Sequence, residues 1–193
     1  MMNIKAISVN VGKALLVSAL FMFLSMIVSV IYGRDEAFAP LLISFIITLI
    51  FGAFPFIFVR GRQPLSLRDG FLTIVFSWVL SFVFGMLPYV LYGGEFTLIN
   101  AWFESVSVFT TTGASILNDI EALPRGLQFL RMSTSWIGGI GVVMFALVIL
   151  PSIGKSKMML SHFELSTLAK DNFQFYRTPT VVRIVLSVYI GMT

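Results

Sequence analysis

A short polar loop, Thr110-Thr111-Thr112-Gly113-Ala114-Ser115, lies between two apolar stretches of the chain. A cation that sheds its water needs replacement oxygens, and an extended loop supplies several backbone carbonyls in succession without a fixed charge on the path. Threonines are β-branched and favour extended backbone, whereas glycine reaches conformations closed to other residues, so its carbonyl can be aimed. The loop therefore predicts a cation site made of backbone oxygens. The alternative is a turn that ends a helix, where glycine is also common.

Hydrophobic residues make up 58% of the 193-residue chain and charged residues only 11%, which is typical of a protein that spans a membrane. Four intervals, of 20, 23, 25 and 23 residues, contain no Asp, Glu, Lys or Arg. About 20 helical residues cross the roughly 30 Å hydrocarbon layer of a bilayer. The sequence therefore predicts four membrane-spanning helices, at about residues 13–32, 40–59, 66–92 and 127–151.

The 13 basic residues flank the apolar intervals, so the net charge of +4 indicates membrane orientation rather than a nucleic-acid surface. With the N-terminus in the cytoplasm, all of them lie inside except Arg34, Arg125 and Arg131. A signal peptide is the alternative for the first interval, but that interval exceeds the usual 7–15 residues and the next follows at once. The chain has no cysteine and one histidine, His162, so it predicts no disulfide, no metal cluster of side chains and no covalent cofactor.

The apolar run before the loop, about residues 97–109, is too short to cross a membrane, because thirteen helical residues reach only about 20 Å. Charged residues follow this run before the chain could cross the membrane a second time. The segment is therefore predicted to enter and leave the membrane on the same side. Bare backbone at membrane depth is allowed only where it is buried in protein or lines a watery cavity. The short helix also points its partially negative C-terminus at that cavity, which favours the cation site over an ordinary turn.

Two further features surround the loop. Glu104 lies within the short helix, where a charge is costly in lipid; it either forms an ion pair that supports the loop, with Arg131 as partner, or attracts cations, and support is the favoured role. Gly138, Gly139 and Gly141 fall within the fourth predicted span and follow no strand, which argues against a phosphate loop. Close helix packing is the favoured role of these glycines, and a hinge in the inner helix is the alternative.

Two motifs carry a family resemblance: Glu104-Ser105-Val106-Ser107-Val108-Phe109-Thr110-Thr111-Thr112-Gly113-Ala114-Ser115 and, with Pro151 after it, Ser135-Trp136-Ile137-Gly138-Gly139-Ile140-Gly141. They resemble the first pore repeat of Trk-type potassium uptake proteins, in the Trk/Ktr/HKT superfamily of cation transporters. The resemblance implies four such repeats around a pseudo-fourfold axis, of which this sequence holds one complete copy. It also implies that potassium is coordinated by the carbonyls of Thr111, Thr112 and Gly113, with Thr110 and Ala114 flanking them.

The resemblance further implies a setting and partners. These are membrane lipid, a second copy in a homodimer, and a cytoplasmic nucleotide-binding regulatory subunit, at a bacterial cell inner membrane. Potassium would be the transported ion, and in the family a glycine at position 113 goes with potassium, whereas a serine goes with sodium permeability. The loop departs from tetrameric potassium channels, because it lacks their Thr-Val-Gly-Tyr-Gly sequence.

The predicted fold is an all-α membrane protein with an N-terminal two-helix hairpin at residues 1–62 and a first pore repeat at 63–155. That repeat comprises an outer helix, a re-entrant pore helix, the filter loop and an inner helix, and residues 156–193 would form a cytoplasmic linker and the truncated start of a second repeat. The predicted function is potassium transport, as the membrane subunit of a Trk-type uptake system. A sodium-permeable or non-selective pathway, or a non-transporting scaffold, is the alternative. An enzyme is not expected, because no paired acid and base lie at membrane depth.

Overall fold

The computed structural model describes residues 3–59, 67–141 and 187–191, and every regular element in these ranges is helical. The chain divides into two compact units, Met1–Gly138 and Gly139–Thr193. Five helices are α1 (Ile4–Ile31), α2 (Phe38–Phe58), α3 (Leu67–Gly85), α4 (Leu87–Tyr92) and α5 (Leu98–Phe109). A sixth, α6, covers residues 125–141, and a short helical turn covers 187–191. The prediction of an all-α membrane protein is confirmed.

Three described helices are long and apolar enough to cross a bilayer: Ile4–Ile31, Phe38–Phe58 and Arg68–Tyr92, which includes α4. The fourth predicted span, 127–151, coincides with α6 as far as residue 141, and its remainder lies outside the described residues. Most of the linker predicted at 156–193 lies outside them as well. These helices make the chain a multi-pass membrane protein.

The first helix begins about nine residues before its predicted start, at Ile4. The side chain of Asn3 accepts a hydrogen bond from the Ala6 amide, which caps the helix. Lys5 and Lys13 therefore lie on the helix itself, where both are exposed. The spacing of the charged residues predicted only the apolar part of this span. The capping residue, Asn3, sets where the helix begins.

The hairpin of α1 and α2 is held by close backbone contact. A Cβ built on Gly12 would lie 2.7 Å from the carbonyl oxygen of Gly52, and one built on Gly52 would lie 3.2 Å from the carbonyl oxygen of Gly12. Small residues allow such an approach between helices in lipid, where packing rather than water exclusion drives association. Buried serine and threonine hydroxyls complete the interface by donating to carbonyls four residues earlier in their own helices; examples are Ser25 to Phe21, Ser44 to Pro40 and Thr48 to Ser44, each at 2.7 Å.

The third span is interrupted at Met86, between α3 and α4. Pro88 lies at the start of α4, where its missing N–H leaves no helical hydrogen bond unmade. Around this interruption, Tyr89 and Phe96 join Met22 of α1, Leu41 of α2 and Leu127 of α6 in one apolar core. The hairpin and the segment 67–138 therefore share a core in the first unit.

We predict that Gly12→Val lowers the free energy of unfolding by about 1–3 kcal/mol, because the added carbons overpack the crossing with α2. The measurement is thermal unfolding of the purified protein in detergent. Gly70→Val is the matched control, since nothing lies within 4 Å of its Cβ position. Equal melting temperatures for the two variants would show that the crossing is not tight.

Candidate functional site

The short helix α5 precedes the polar loop and packs against the outer helix α3. Its first turn is capped by Thr97, whose hydroxyl accepts from the Asn100 amide at 3.3 Å. The Ser105 hydroxyl donates to the Phe82 carbonyl of α3 at 2.8 Å. A Cβ on Gly85 would lie 2.6 Å from the Phe109 ring, so glycine permits this contact. With 12 residues, α5 reaches about 18 Å, well short of a crossing.

The end of α5 is closed by two backbone hydrogen bonds that set the first residues of the loop. The Thr111 amide donates to the Val108 carbonyl at 3.1 Å, and the Thr112 amide donates to the Ser107 carbonyl at 2.9 Å. This pair of bonds defines a Schellman motif, in which the residue after the C-cap adopts the left-handed conformation. That residue is Thr111, with φ +56°. The prediction of extended backbone at Thr111 is wrong, because satisfying the helix-end carbonyls outweighs the preference of a β-branched side chain.

Gly113 provides a second left-handed residue in the loop, with φ +76°, while Thr112 between them has no positive φ. Within the described part of the chain, no donor occupies the carbonyls of Thr111, Thr112 and Gly113. The loop thus presents three successive backbone oxygens that accept no hydrogen bond from the described residues.

Side chains of α5 and of the loop hold this backbone in place. The Ser107 hydroxyl donates to the Ala114 carbonyl at 2.6 Å, which spans the loop from the helix to its exit. Thr110 donates to the Val106 carbonyl at 2.8 Å, and its hydroxyl lies 2.8 Å from that of Thr112. Ala114, predicted to flank the cation site, therefore has its carbonyl engaged. Ser107 was not predicted as a site residue, because a serine in a short helix has no local feature that reveals a partner seven residues away.

The Glu104 carboxylate lies at the centre of the site and is 0% exposed. Its Oε1 forms an ion pair with the Arg131 guanidinium of α6, the partner that the sequence indicated. The Ser115 hydroxyl donates to both carboxylate oxygens, at 3.2 and 3.1 Å, and the Ile116 amide donates to Oε2 at 3.3 Å. One carboxylate thus joins α5, the loop exit and α6. The contribution of Ser115 was not predicted from the sequence, although its polar side chain at the end of the loop was the available signal.

The glycines of α6 differ in what they contact. Gly138 lies against the last turn of α5, where a Cβ would overlap the Phe109 carbonyl oxygen. In its place the glycine Cα–H faces that oxygen, a weak but recurrent contact between helices. In the second unit, a Cβ on Gly139 would overlap the Tyr189 hydroxyl. Gly141 is a half-buried residue of α6. Gly138 is therefore the glycine that meets the candidate site.

Residues 39–193 match the family model described as TrkH, a cation transport protein. The chain belongs to the TrkH family. This confirms the resemblance noted from the two motifs, and it agrees with the prediction that the chain is not an enzyme.

Relatives of the TrkH family extend the match over the whole chain. The Trk system potassium uptake protein TrkH of Vibrio parahaemolyticus is 31% identical over 196 residues, which cover 100% of this chain and 40% of that protein. The Trk system potassium uptake protein TrkI of Halomonas elongata is 37% identical over 180 residues, 92% of this chain and 36% of its own length. The crystal structure of the potassium transporter TrkH from Vibrio parahaemolyticus superposes with a TM-score of 0.77 at 28% identity, covering 98% of this chain and 37% of that one. The chain thus spans about two fifths of the length of these TrkH-family relatives.

We predict that Thr111→Gly in this TrkH-family chain raises the free energy of unfolding by about 1 kcal/mol. Glycine occupies the left-handed region without a Cβ clash, and the Thr111 side chain is exposed, so little packing is lost. Gly33 supplies the matched control, because it holds the same position of a second Schellman motif, at the end of α1, with φ +90°. Gly33→Thr should lower stability by a similar amount. Thermal unfolding of both variants measures the effect, and a loss of stability in Thr111→Gly would contradict the assigned strain.

We also predict that Glu104→Gln destabilises the TrkH-family fold by about 3 kcal/mol or more, because it leaves the Arg131 charge buried without a counter-charge. Adding Arg131→Met removes that unpaired charge and should recover part of the loss. Glu121→Gln, at an exposed carboxylate of the next loop, is the control and should be neutral. The measurement is a double-mutant cycle of melting temperatures. A double variant less stable than Glu104→Gln would contradict the pairing.

Proposed function

We propose that this chain forms one wall of a potassium pathway across the membrane, as part of the membrane subunit of a Trk-type uptake system. The observation that carries the proposal is the loop, in which Thr111 and Gly113 are left-handed and three successive carbonyls accept no hydrogen bond from the part of the chain that the structure describes. Backbone oxygens arranged in this way can replace the water around a cation. The printed names of the relatives, which are potassium uptake proteins, support potassium as that cation.

In this proposal the carbonyls of Thr111, Thr112 and Gly113 coordinate potassium, and Thr110 and Ala114 flank them. One chain segment surrounds only part of an ion, so three further loops would complete the coordination around a pseudo-fourfold axis. The C-terminal end of α5 contributes partial negative charge where the cation would lose its water. The filter is thus electrostatically attractive without a carboxylate on the path.

The proposed role of Glu104 is to support the filter rather than to attract cations. Its carboxylate is 0% exposed and is paired with Arg131. The positive charge of Arg131 therefore offsets the attraction that the carboxylate would exert on an ion in the pathway. Its hydrogen bonds with Ser115 and Ile116 act on the loop exit. We propose the same kind of role for Gly138, through the end of α5, and close packing or a hinge for Gly139 and Gly141.

The wider organisation is proposed from the same family. Residues 1–62 would form the N-terminal hairpin, 63–155 the first pore repeat, and 156–193 a linker leading into a second repeat. The protein would lie in a bacterial inner membrane with its N-terminus in the cytoplasm, as a homodimer that binds a cytoplasmic nucleotide-binding regulatory subunit. The excess of basic residues on the cytoplasmic side supports the orientation.

The proposed function predicts that the protein expressed at full length restores growth of a potassium-uptake-deficient bacterium in low-potassium medium. Gly113→Ser in parallel should lose the preference for potassium, because a serine at this position strains the left-handed backbone and goes with sodium permeability in the family. Growth and the uptake of potassium and of sodium are measured together.

Three results would contradict the proposal in different ways. Growth restored by neither form, with both present in the membrane, would favour a non-transporting scaffold. Sodium uptake without potassium uptake by the wild-type protein would favour a sodium pathway. Equal ion preference in the wild type and in Gly113→Ser would remove this loop from the selectivity mechanism.

A further inference from the structure

The turn between α1 and α2 places a carboxylate against a helix that begins 90 residues later in the sequence. Asp35 accepts a hydrogen bond from the Ser29 hydroxyl on its Oδ1. Its Oδ2 accepts from the backbone N–H of Gly126 at 2.9 Å. Gly126 lies in the first turn of α6, whose first helical bonds run to the Pro124 carbonyl. Asp35 is therefore a capping group for α6 that comes from the N-terminal hairpin.

The chemistry at this contact is favourable for three reasons. The first amides of a helix have no partner within it, so the Gly126 N–H needs an acceptor. The helix N-terminus carries partial positive charge, which a carboxylate stabilises. Gly126 also lets α6 approach the hairpin, because a Cβ there would lie 2.9 Å from Leu41 and 3.0 Å from the Ser29 side chain. The hairpin and the start of α6 fit each other in charge and in shape.

The same helix carries both residues by which α6 meets the candidate filter. Arg131 and Gly138 follow Gly126 by about 8 and 18 Å along the helix axis. Arg131 pairs with Glu104, and Gly138 contacts the Phe109 carbonyl at the end of α5. A helix is stiff over this length, so a displacement of its first turn moves both contacts.

We propose that Asp35 is a positioning residue for ion selectivity, by which the N-terminal hairpin holds the supports of the filter through α6. This inference rests on the proposed potassium pathway. It gives the hairpin, which contributes no filter residue, a role in the selectivity of the loop. Ser29 orients the Asp35 carboxylate and shares in that role.

The test compares the ratio of potassium to sodium uptake among variants of the full-length protein. Asp35→Ala should lower the ratio by about fivefold, in keeping with the loss of one helix cap. Asp35→Asn should retain the wild-type ratio, because asparagine caps helices as well as aspartate does and its amide can donate to Ser29. Glu95→Ala, at an exposed carboxylate of the loop before α5, is the control and should also retain it. Hydrogen exchange at residues 125–127 should accelerate in Asp35→Ala alone.

A potassium-to-sodium uptake ratio in Asp35→Ala equal to that in Glu95→Ala would overturn the inference. A fall of this ratio in Asp35→Asn as large as that in Asp35→Ala would also overturn it. If Asp35→Ala does not reach the membrane, Ser29→Ala is tested in its place. The potassium-to-sodium uptake ratio should then fall by about twofold, and an unchanged ratio would contradict the proposal. A wild-type protein that takes up no potassium would instead refute the proposed function. Faster hydrogen exchange in Asp35→Ala would then still report the capping contact, so the two failures are distinguishable.

Discussion

A fully buried carboxylate governs the arrangement of this chain. Glu104 can remain charged at membrane depth only because Arg131, Ser115 and the Ile116 amide surround it with positive charge and donors. These partners belong to α6 and to the loop exit, and Glu104 itself lies on α5, so meeting the electrostatic demand of one side chain brings these three stretches of backbone together. The position of the loop between α5 and α6 follows from this requirement.

The loop contains one strained residue, Thr111, which neighbouring side chains hold in place. Thr111 is left-handed at a cost that glycine would avoid, and the surrounding bonds of Ser107 and Thr110 keep it there. The same Schellman geometry ends α1, where Gly33 occupies the corresponding position without strain. A threonine at the strained position is therefore a feature of the site rather than a general requirement of helix ends in this fold.

Much of this arrangement could be predicted from the sequence, and the rest has a physical explanation. The length of the apolar run predicted 97–109 for a helix found at Leu98–Phe109, and the cost of a charge in lipid indicated a partner for Glu104. The left-handed conformation of Thr111 could not be predicted, because a β-branched side chain favours extended backbone. The hydrogen bonds at the end of α5 outweigh that preference. The contact of Asp35 with Gly126 joins residues 91 apart, and no local pattern encodes such a pairing.

Buried hydroxyls on α1 and α2 bear on the order in which the membrane protein is assembled. Ser18, Ser25, Ser44 and Thr48 each donate to a carbonyl of their own helix, so neither helix needs the other to satisfy these groups. Each can therefore enter lipid with these hydroxyls already hydrogen-bonded within its own helix. The two can then associate laterally through the Gly12 and Gly52 crossing. The hairpin is thus equipped to be in place before the segment that carries the site arrives.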